Sequence, residues 1–245
     1  MKIATFNING VKARLPRLLE WLEEFNPDVA CLQEIKSVDE NFPRLEFEEK
    51  GWHLETHGQK AFNGVALISK HPIEDIRRGL PALDGGVENS DEQARYIEAT
   101  IKGVRIASIY LPNGNPRPGP KFDYKLSWME RLVTHAKGLL ELEQPIVLAG
   151  DYNIIPADED CHNPAAWVDD ALTQPESRAH FRALKNLGYL DAQRQVKPTG
   201  KKTTALESTI CFYPHKRLIF LKTVRLTVFL AEKKNQVIIH LSGSN

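Results

Sequence analysis

At 245 residues the chain is long enough for one large α/β domain, and 42% hydrophobic with 26% charged residues is the balance of an ordinary globular enzyme, not of a disordered or fibrous protein. Cys31, Cys161 and Cys211 are odd in number, far apart and outside any CxxC or Cys/His spacing, so neither a disulfide framework nor a zinc site is indicated. The net charge is zero but uneven: residues 201 to 245 carry eight Lys and Arg against two Glu and no Asp, leaving 24 basic and 30 acidic side chains before them.

The start, MKIATFNING, has no apolar stretch for a signal peptide and reads as a first strand, Lys2 to Phe6. Arg14 to Phe25 reads as an amphipathic helix with Leu15, Leu18, Leu19, Leu22 and Phe25 on one stripe and Pro16 in its first turn. Asp28 to Leu32 is a second buried strand, and further strands are expected at Gly64 to Ser69, Tyr96 to Ile101 and Val104 to Leu111. From Lys121 to Glu143, apolar residues including Phe122, Leu126, Met129, Leu132 and Leu139 recur at three- and four-residue steps. Pro145 stops that long helix before a strand from Ile146 to Ala149. The most apolar later stretch, Leu218 to Ala231, is broken by Lys222 and Arg225 and falls short of the roughly 20 residues of a membrane span. A cytoplasmic protein with no membrane partner is expected, with a monomer as the default.

Five polar residues stand at carboxyl ends of these strands: Asn7, Glu34, Tyr110, Asp151 and Asn153. Ligands bind at that edge of an α/β sheet, because loops leaving it converge while the strands hold them rigid. Glu34 and Asp151 are hard oxygen donors, and Asn7 and Asn153 add amide oxygens or orient a phosphate, a set that suits Mg²⁺, or Mn²⁺, better than zinc. The substrate implied is a phosphate ester. Its hydrolysis needs an in-line water, stabilisation of charge on the non-bridging oxygens and help for the departing alkoxide. Asp151 is the candidate acid/base, Glu34 the main metal ligand, Asn153 the phosphate orienter and Tyr110 a phenol donating to the phosphate. Each has a plainer reading alone: Asn7 as a turn former, Glu34 as a solvated charge, Tyr110 as a core aromatic and Asp151 as the cap of the turn after Gly150. The joint pattern is what points to a shared site.

The stretches TFNINGVKARL, PDVACLQEIK, HGQKAFNGVALISK and LAGDYNIIPADED, in this order and spacing, resemble the diagnostic segments of the exodeoxyribonuclease III and abasic-site (AP) endonuclease family, part of the endonuclease/exonuclease/phosphatase superfamily. The resemblance covers residues 1 to about 198, including NPAAWVDDAL and PESRAHFRAL, which are similar to a bacterial subgroup. It implies a four-layer α/β sandwich, two mixed sheets face to face with helices outside. It places metal and phosphate contacts on Asn7, Glu34, Asp151 and Asn153, catalysis on Tyr110, Asp151 and Asn153, and DNA-backbone contacts on Arg14, Lys60, Arg95 and Lys121. The activities implied are incision 5′ of abasic sites, stepwise 3′ to 5′ digestion of duplex DNA and clearing of blocked 3′ ends, with Mg²⁺ as cofactor and duplex DNA bearing abasic sites or 3′ ends as partner. A phosphatase or RNA deadenylase of the same superfamily is the alternative within enzymes.

The resemblance stops near Gly200. The family's YTFWDY-like strand, its arginine-isoleucine-aspartate segment and its terminal serine-aspartate-histidine are absent from the basic tail, 201 to 245, which has no Asp and no Trp. Residues 1 to 200 thus read as an incomplete catalytic domain. Three origins stay open for the tail: a frameshift or assembly artefact that cripples catalysis, a lineage variant in which His215 or His240 supplies the lost imidazole, and an inactive DNA-binding remnant. Leu218 to Leu230 and Gln236 to Leu241 alternate enough to form strands.

Overall fold

The computed structural model describes residues 1–83 and 91–192 in full, and the backbone of 207–212 and 237–240. Two sheets carry the fold. β1 (Lys2–Asn7), β2 (Val29–Gln33), β3 (His53–His57) and β4 (Val65–Ser69) make the first, with β11 (Val237–His240) on its edge, in the order β11-β1-β2-β4-β3. β5 (Glu74–Arg78), β6 (Tyr96–Ile101), β7 (Val104–Tyr110), β8 (Ile146–Asp151), β9 (Leu190–Asp191) and β10 (Glu207–Phe212) make the second, in the order β5-β6-β7-β8-β10-β9. Helices α1 (Val11–Phe25) and α2 (Arg44–Glu48) contribute to the apolar cluster on the outer face of the first sheet. α3 (Pro120–Leu139) and α4 (Pro175–Asn186) do the same on the second. Between the sheets, Ile3, Val29, Cys31 and Leu67 meet Ile97, Ile106, Val147 and Ala149 in a third cluster. Three apolar layers between four structural layers are the expected sandwich.

Near-continuous apolar runs in the central strands match sheets covered on both faces. β2 (VACLQ) and β4 (VALIS) are buried at every position, as strands covered on both sides must be. Each sheet contains one parallel pair, β1 with β2 and β7 with β8, so the carboxyl ends of each pair coincide. Gly150 permits the second pair to close: a Cβ there would lie 2.0 Å from the Ile109 carbonyl oxygen, at a φ of 156°.

Several elements differ from expectation. α1 starts at Val11 because the Val11 N–H is held by the Ile35 carbonyl at 3.0 Å, which puts Pro16 in the second turn, on an exposed face. α3 buries Phe122, Met129, Leu132, Ala136 and Leu139 of the expected stripe, with Lys125 and Trp128 added to the buried face and Leu126 only half-buried. β3, β5, α2 and α4 are elements beyond those expected; β5 is exposed throughout, while α4 buries Ser177, Phe181 and Leu184 on one face. The tail joins the fold through β10, antiparallel to β8, and β11, antiparallel to β1, the latter inside the expected Gln236 to Leu241 strand. Leu218 to Leu230 and His215 lie outside the described residues. Among the described residues no helix is long and apolar enough to cross a membrane.

Candidate active site

The ends of the two parallel pairs meet. Asn7 is the last residue of β1, Glu34 follows β2, Tyr110 ends β7 and Asp151 ends β8 opposite it in register. Asn7 joins the sheets: its amide nitrogen donates to Glu34 Oε1 at 2.8 Å and to Asp151 Oδ2 at 3.1 Å, while its oxygen accepts from the Asn9 N–H at 3.0 Å. A backbone donor needs the oxygen, so that contact sets the amide's orientation. The Tyr110 hydroxyl donates to Glu34 Oε1 at 2.7 Å, and Lys36 lies 2.9 Å from the other Glu34 oxygen.

Local backbone geometry holds these groups. Glu34 and Asn153 are both left-handed, at φ 53° and 45°, a setting that costs a glutamate of order 1 kcal/mol and persists only where neighbours fix it. For Glu34 they do: its carbonyl accepts from the Gly10 N–H at 2.7 Å, and the Ile35 and Lys36 N–H groups donate to Gly64 and Asn63. Behind it, fully buried Gln33 donates to Thr5 Oγ1 and Ser108 Oγ, each at 3.0 Å, tying β2 to β1 and across to β7. Asn153 donates from its amide to the Leu111 carbonyl at 2.9 Å, and its own N–H donates to Asp151 Oδ1 at 3.0 Å. Four of the five expected residues are therefore linked by hydrogen bonds around two carboxylates, and Asn153 joins through Asp151.

The two carboxylates are tuned apart. Burial pushes Asp151 up; the hydrogen bonds from Asn7 and the Asn153 N–H only partly offset it, the Glu34 charge adds to it, and the group reaches about 6. Burial also pushes Glu34 up, but hydrogen bonds from Asn7, Tyr110 and Lys36 outweigh it and hold the carboxyl below its usual range. Burial and the Glu34 contact drive the Tyr110 phenol well above its ordinary value, so it acts as a donor at neutral pH. Lys125, buried on α3, is brought by burial down to about 7 against the opposing charges of Asp170 and Asp151.

Two ionisable oxygen donors with amide neighbours fit a hard cation of the Mg²⁺ type, which takes one or two carboxylates and keeps water and substrate phosphate in its other positions. Among the described residues no group of three or more His, Cys, Asp and Glu is assembled to hold a metal, so a protein-only zinc-like cage is not built there. Of the expected DNA contacts, Arg95 packs over the Tyr110 ring at 4.9 Å and donates to the Tyr110 carbonyl at 3.2 Å, Arg14 donates to the Asn9 carbonyl, and Lys60 and Lys121 are exposed. Gln33 and Lys125 were not anticipated. Gln33 was marked by being the one amide in a fully buried strand, and Lys125 by lying three residues from Phe122 and four from Met129.

The sequence profile of the Endonuclease/Exonuclease/phosphatase family matches residues 4–206. Exodeoxyribonuclease III of Haemophilus influenzae is 36% identical over 82% of this chain and 77% of its own length, and an exodeoxyribonuclease of Bacillus subtilis is 29% identical over 81% and 76%. Among solved structures, a 3′ phosphatase, NExo, from Neisseria bound to a product DNA hairpin superposes with a TM-score of 0.85 at 32% identity, covering 99% of both chains. An AP endonuclease from Archaeoglobus fulgidus gives 0.81 at 26% identity, over 98% of this chain and 99% of that one. The matched sequence ends where the expected likeness ends, at the tail, and up to that point the chain belongs to the exodeoxyribonuclease III and AP endonuclease family of hydrolytic nucleases.

Proposed function

We propose that the chain is a Mg²⁺-dependent phosphodiesterase acting on duplex DNA, cutting beside abasic sites and at 3′ ends, with a rate limited by the family motifs its tail lacks. The observation that carries the reading is the Asn7 bridge, which sets Glu34 of one sheet and Asp151 of the other around a single amide. A divalent ion bound there would polarise the phosphate and favour ionisation of an attacking water. The protein's own groups supply the rest. Glu34 and Asp151 provide the anionic oxygens, Asn153 orients the phosphate, and Tyr110 donates from its hydroxyl to a non-bridging oxygen. Asp151, tuned to about 6, exchanges a proton with the attacking water or the departing oxygen.

A second reading, a DNA-binding remnant without catalysis, is favoured by two observations: the tail has no Asp, and the family match ends at residue 206. Incubating the chain with an abasic-site duplex in Mg²⁺ and in EDTA, beside its Asp151→Ala form, separates the two. Slow nicking that requires Mg²⁺ and vanishes in Asp151→Ala is expected; tight binding with no nicking at any enzyme concentration supports the remnant; nicking that survives EDTA overturns both.

A further inference from the structure

Lys125 is the one fully buried lysine among the described residues, and its ammonium joins two loops of the site. It donates to the Asn153 carbonyl at 2.6 Å and to the Asn113 carbonyl at 3.0 Å. Asn113 lies on the loop that leaves β7 after Tyr110, and Asn153 on the loop that leaves β8 after Asp151. The same loops touch directly where Asn113 donates to Asn153 Oδ1 at 3.4 Å and Asn153 to the Leu111 carbonyl at 2.9 Å. The stem of Lys125 is built in as firmly as its head. A Cβ on Gly114, at φ 91°, would lie 2.6 Å from Lys125 Cδ and 3.0 Å from Ala171 Cβ, so the chain turns over the lysine with nothing to spare.

Methionine or leucine would pack the α3 face without the cost of burying an ammonium, which is high unless its donors are met. What the amine adds is a pair of directional N–H donors to two backbone carbonyls that no apolar side chain can make, donors it keeps whether or not it carries the proton. We infer that Lys125 is a positioning residue for the site: its ammonium clamps the loops after β7 and β8 together, and so sets Asn113 and Asn153 against Asp151. Its meaning for hydrolysis rests on the phosphodiesterase reading above; the clamp itself does not.

Hydrogen exchange followed by mass spectrometry on the full chain tests the clamp, with the amides of Leu111, bonded to the Asp151 carbonyl, of Asn115, bonded to Asn113 Oδ1, and of Asn153, bonded to Asp151 Oδ1, as reporters. Lys125→Met is expected to speed exchange in peptides covering 111–115 and 151–155 together by roughly tenfold, the loss of one or two hydrogen bonds, while β6 is unchanged. Lys125→Arg, which can still donate to both carbonyls, restores much of the protection. Met129→Ala, a core cavity on the same helix, lowers the melting temperature without loosening the two loops selectively. Should Lys125→Met not fold, Gly114→Ala, which drives a methyl against the lysine stem, is expected to loosen the same two peptides. Exchange in Lys125→Met that rises only along α3, or equally everywhere, overturns the clamp. Mn²⁺ binding followed by electron paramagnetic resonance is the second arm. Affinity is expected to fall severalfold in Lys125→Met and not in Met129→Ala, and equal affinity in the two variants contradicts a positioning role. Failure of the unmodified chain to bind Mn²⁺ contradicts the metal-dependent reading instead, and leaves the exchange result to decide the clamp.

Discussion

Two buried carboxylate centres lie on the same sheet, and they are built in opposite ways. Glu98, on β6, is fully buried and surrounded by cations and donors: Arg105 at 2.7 Å, His135 at 3.1 Å and the Tyr96 hydroxyl at 2.6 Å. Burial pushes its carboxyl up, but His135 and Arg105 outweigh it and bring it to about 2. Asp151, at the end of β8, has amides for partners, a second carboxylate nearby and a carboxyl at about 6. The charges around Glu98 neutralise one another within the fold, although Arg105 Nε finds no acceptor. At the site Lys36 neutralises Glu34, and Asp151, raised to about 6, is the carboxylate left for a proton or a cation to neutralise. The contrast sets Glu98 apart as a carboxylate neutralised within the fold and Asp151 as one left beside a second carboxylate.

Substitution at the two centres should therefore have opposite signs. Glu98→Gln leaves Arg105 with only the exposed Asp75 as counter-charge and weakens the acceptor for His135, and is expected to lower unfolding free energy by about 2–4 kcal/mol in urea titrations. A loss below about 1 kcal/mol would mean that the network is not a stabilising one. Asp151→Asn removes a charge the fold holds at a cost. It is expected to leave the metal-free protein at pH 8 as stable as before or more so, by on the order of 1–2 kcal/mol, while abolishing Mg²⁺-dependent nicking.

The pH dependences separate in the same way. A depressed carboxylate such as Glu98 contributes stability that is complete above its ordinary value of 4.5 and is lost as pH falls toward about 2. A raised one such as Asp151 favours the protonated fold, so the metal-free protein loses stability as pH rises from 3.8 through about 6. Divalent-ion affinity should run against that trend and strengthen about tenfold per pH unit up to 6, because the proton and the cation compete for one carboxylate. Calorimetric titration with Mn²⁺ between pH 5 and 8 checks the slope, and a flat profile would remove Asp151 from the ligand set. Tyr110→Phe is the smallest effect, about 1 kcal/mol of stability at neutral pH for one hydrogen bond to Glu34. A loss as large as that of Glu98→Gln would make the site a structural network too.

Much of this was legible in the sequence, for a physical reason. Asn7, Glu34, Tyr110 and Asp151 each close or follow an apolar run, and a polar side chain just past a buried strand is visible without coordinates. The fold class follows from the same strands and from the family stretches. Glu98 and Lys125 were not anticipated as buried charges: each has at least one partner from a distant segment, although Tyr96 and Arg105 lie close to Glu98 in the chain. Glu98 meets a histidine 37 residues away, and Lys125 a carbonyl 28 residues away. β5, EDIRR, is exposed at every position and has no periodicity to show. The tail's two strands pair with β1 and β8 despite a composition unlike the rest, since backbone hydrogen bonds form a ladder largely whatever the side chains.

Thermal melting in the presence and absence of millimolar Mg²⁺ at pH 8 tests most directly whether Glu34 and Asp151 form a cation site. The wild-type chain should melt higher with Mg²⁺. Glu98→Gln should start from a lower melting temperature yet gain as much, and Asp151→Asn should gain nothing. An equal gain in Asp151→Asn, or no gain in the wild type, would contradict a metal held between the ends of the two sheets.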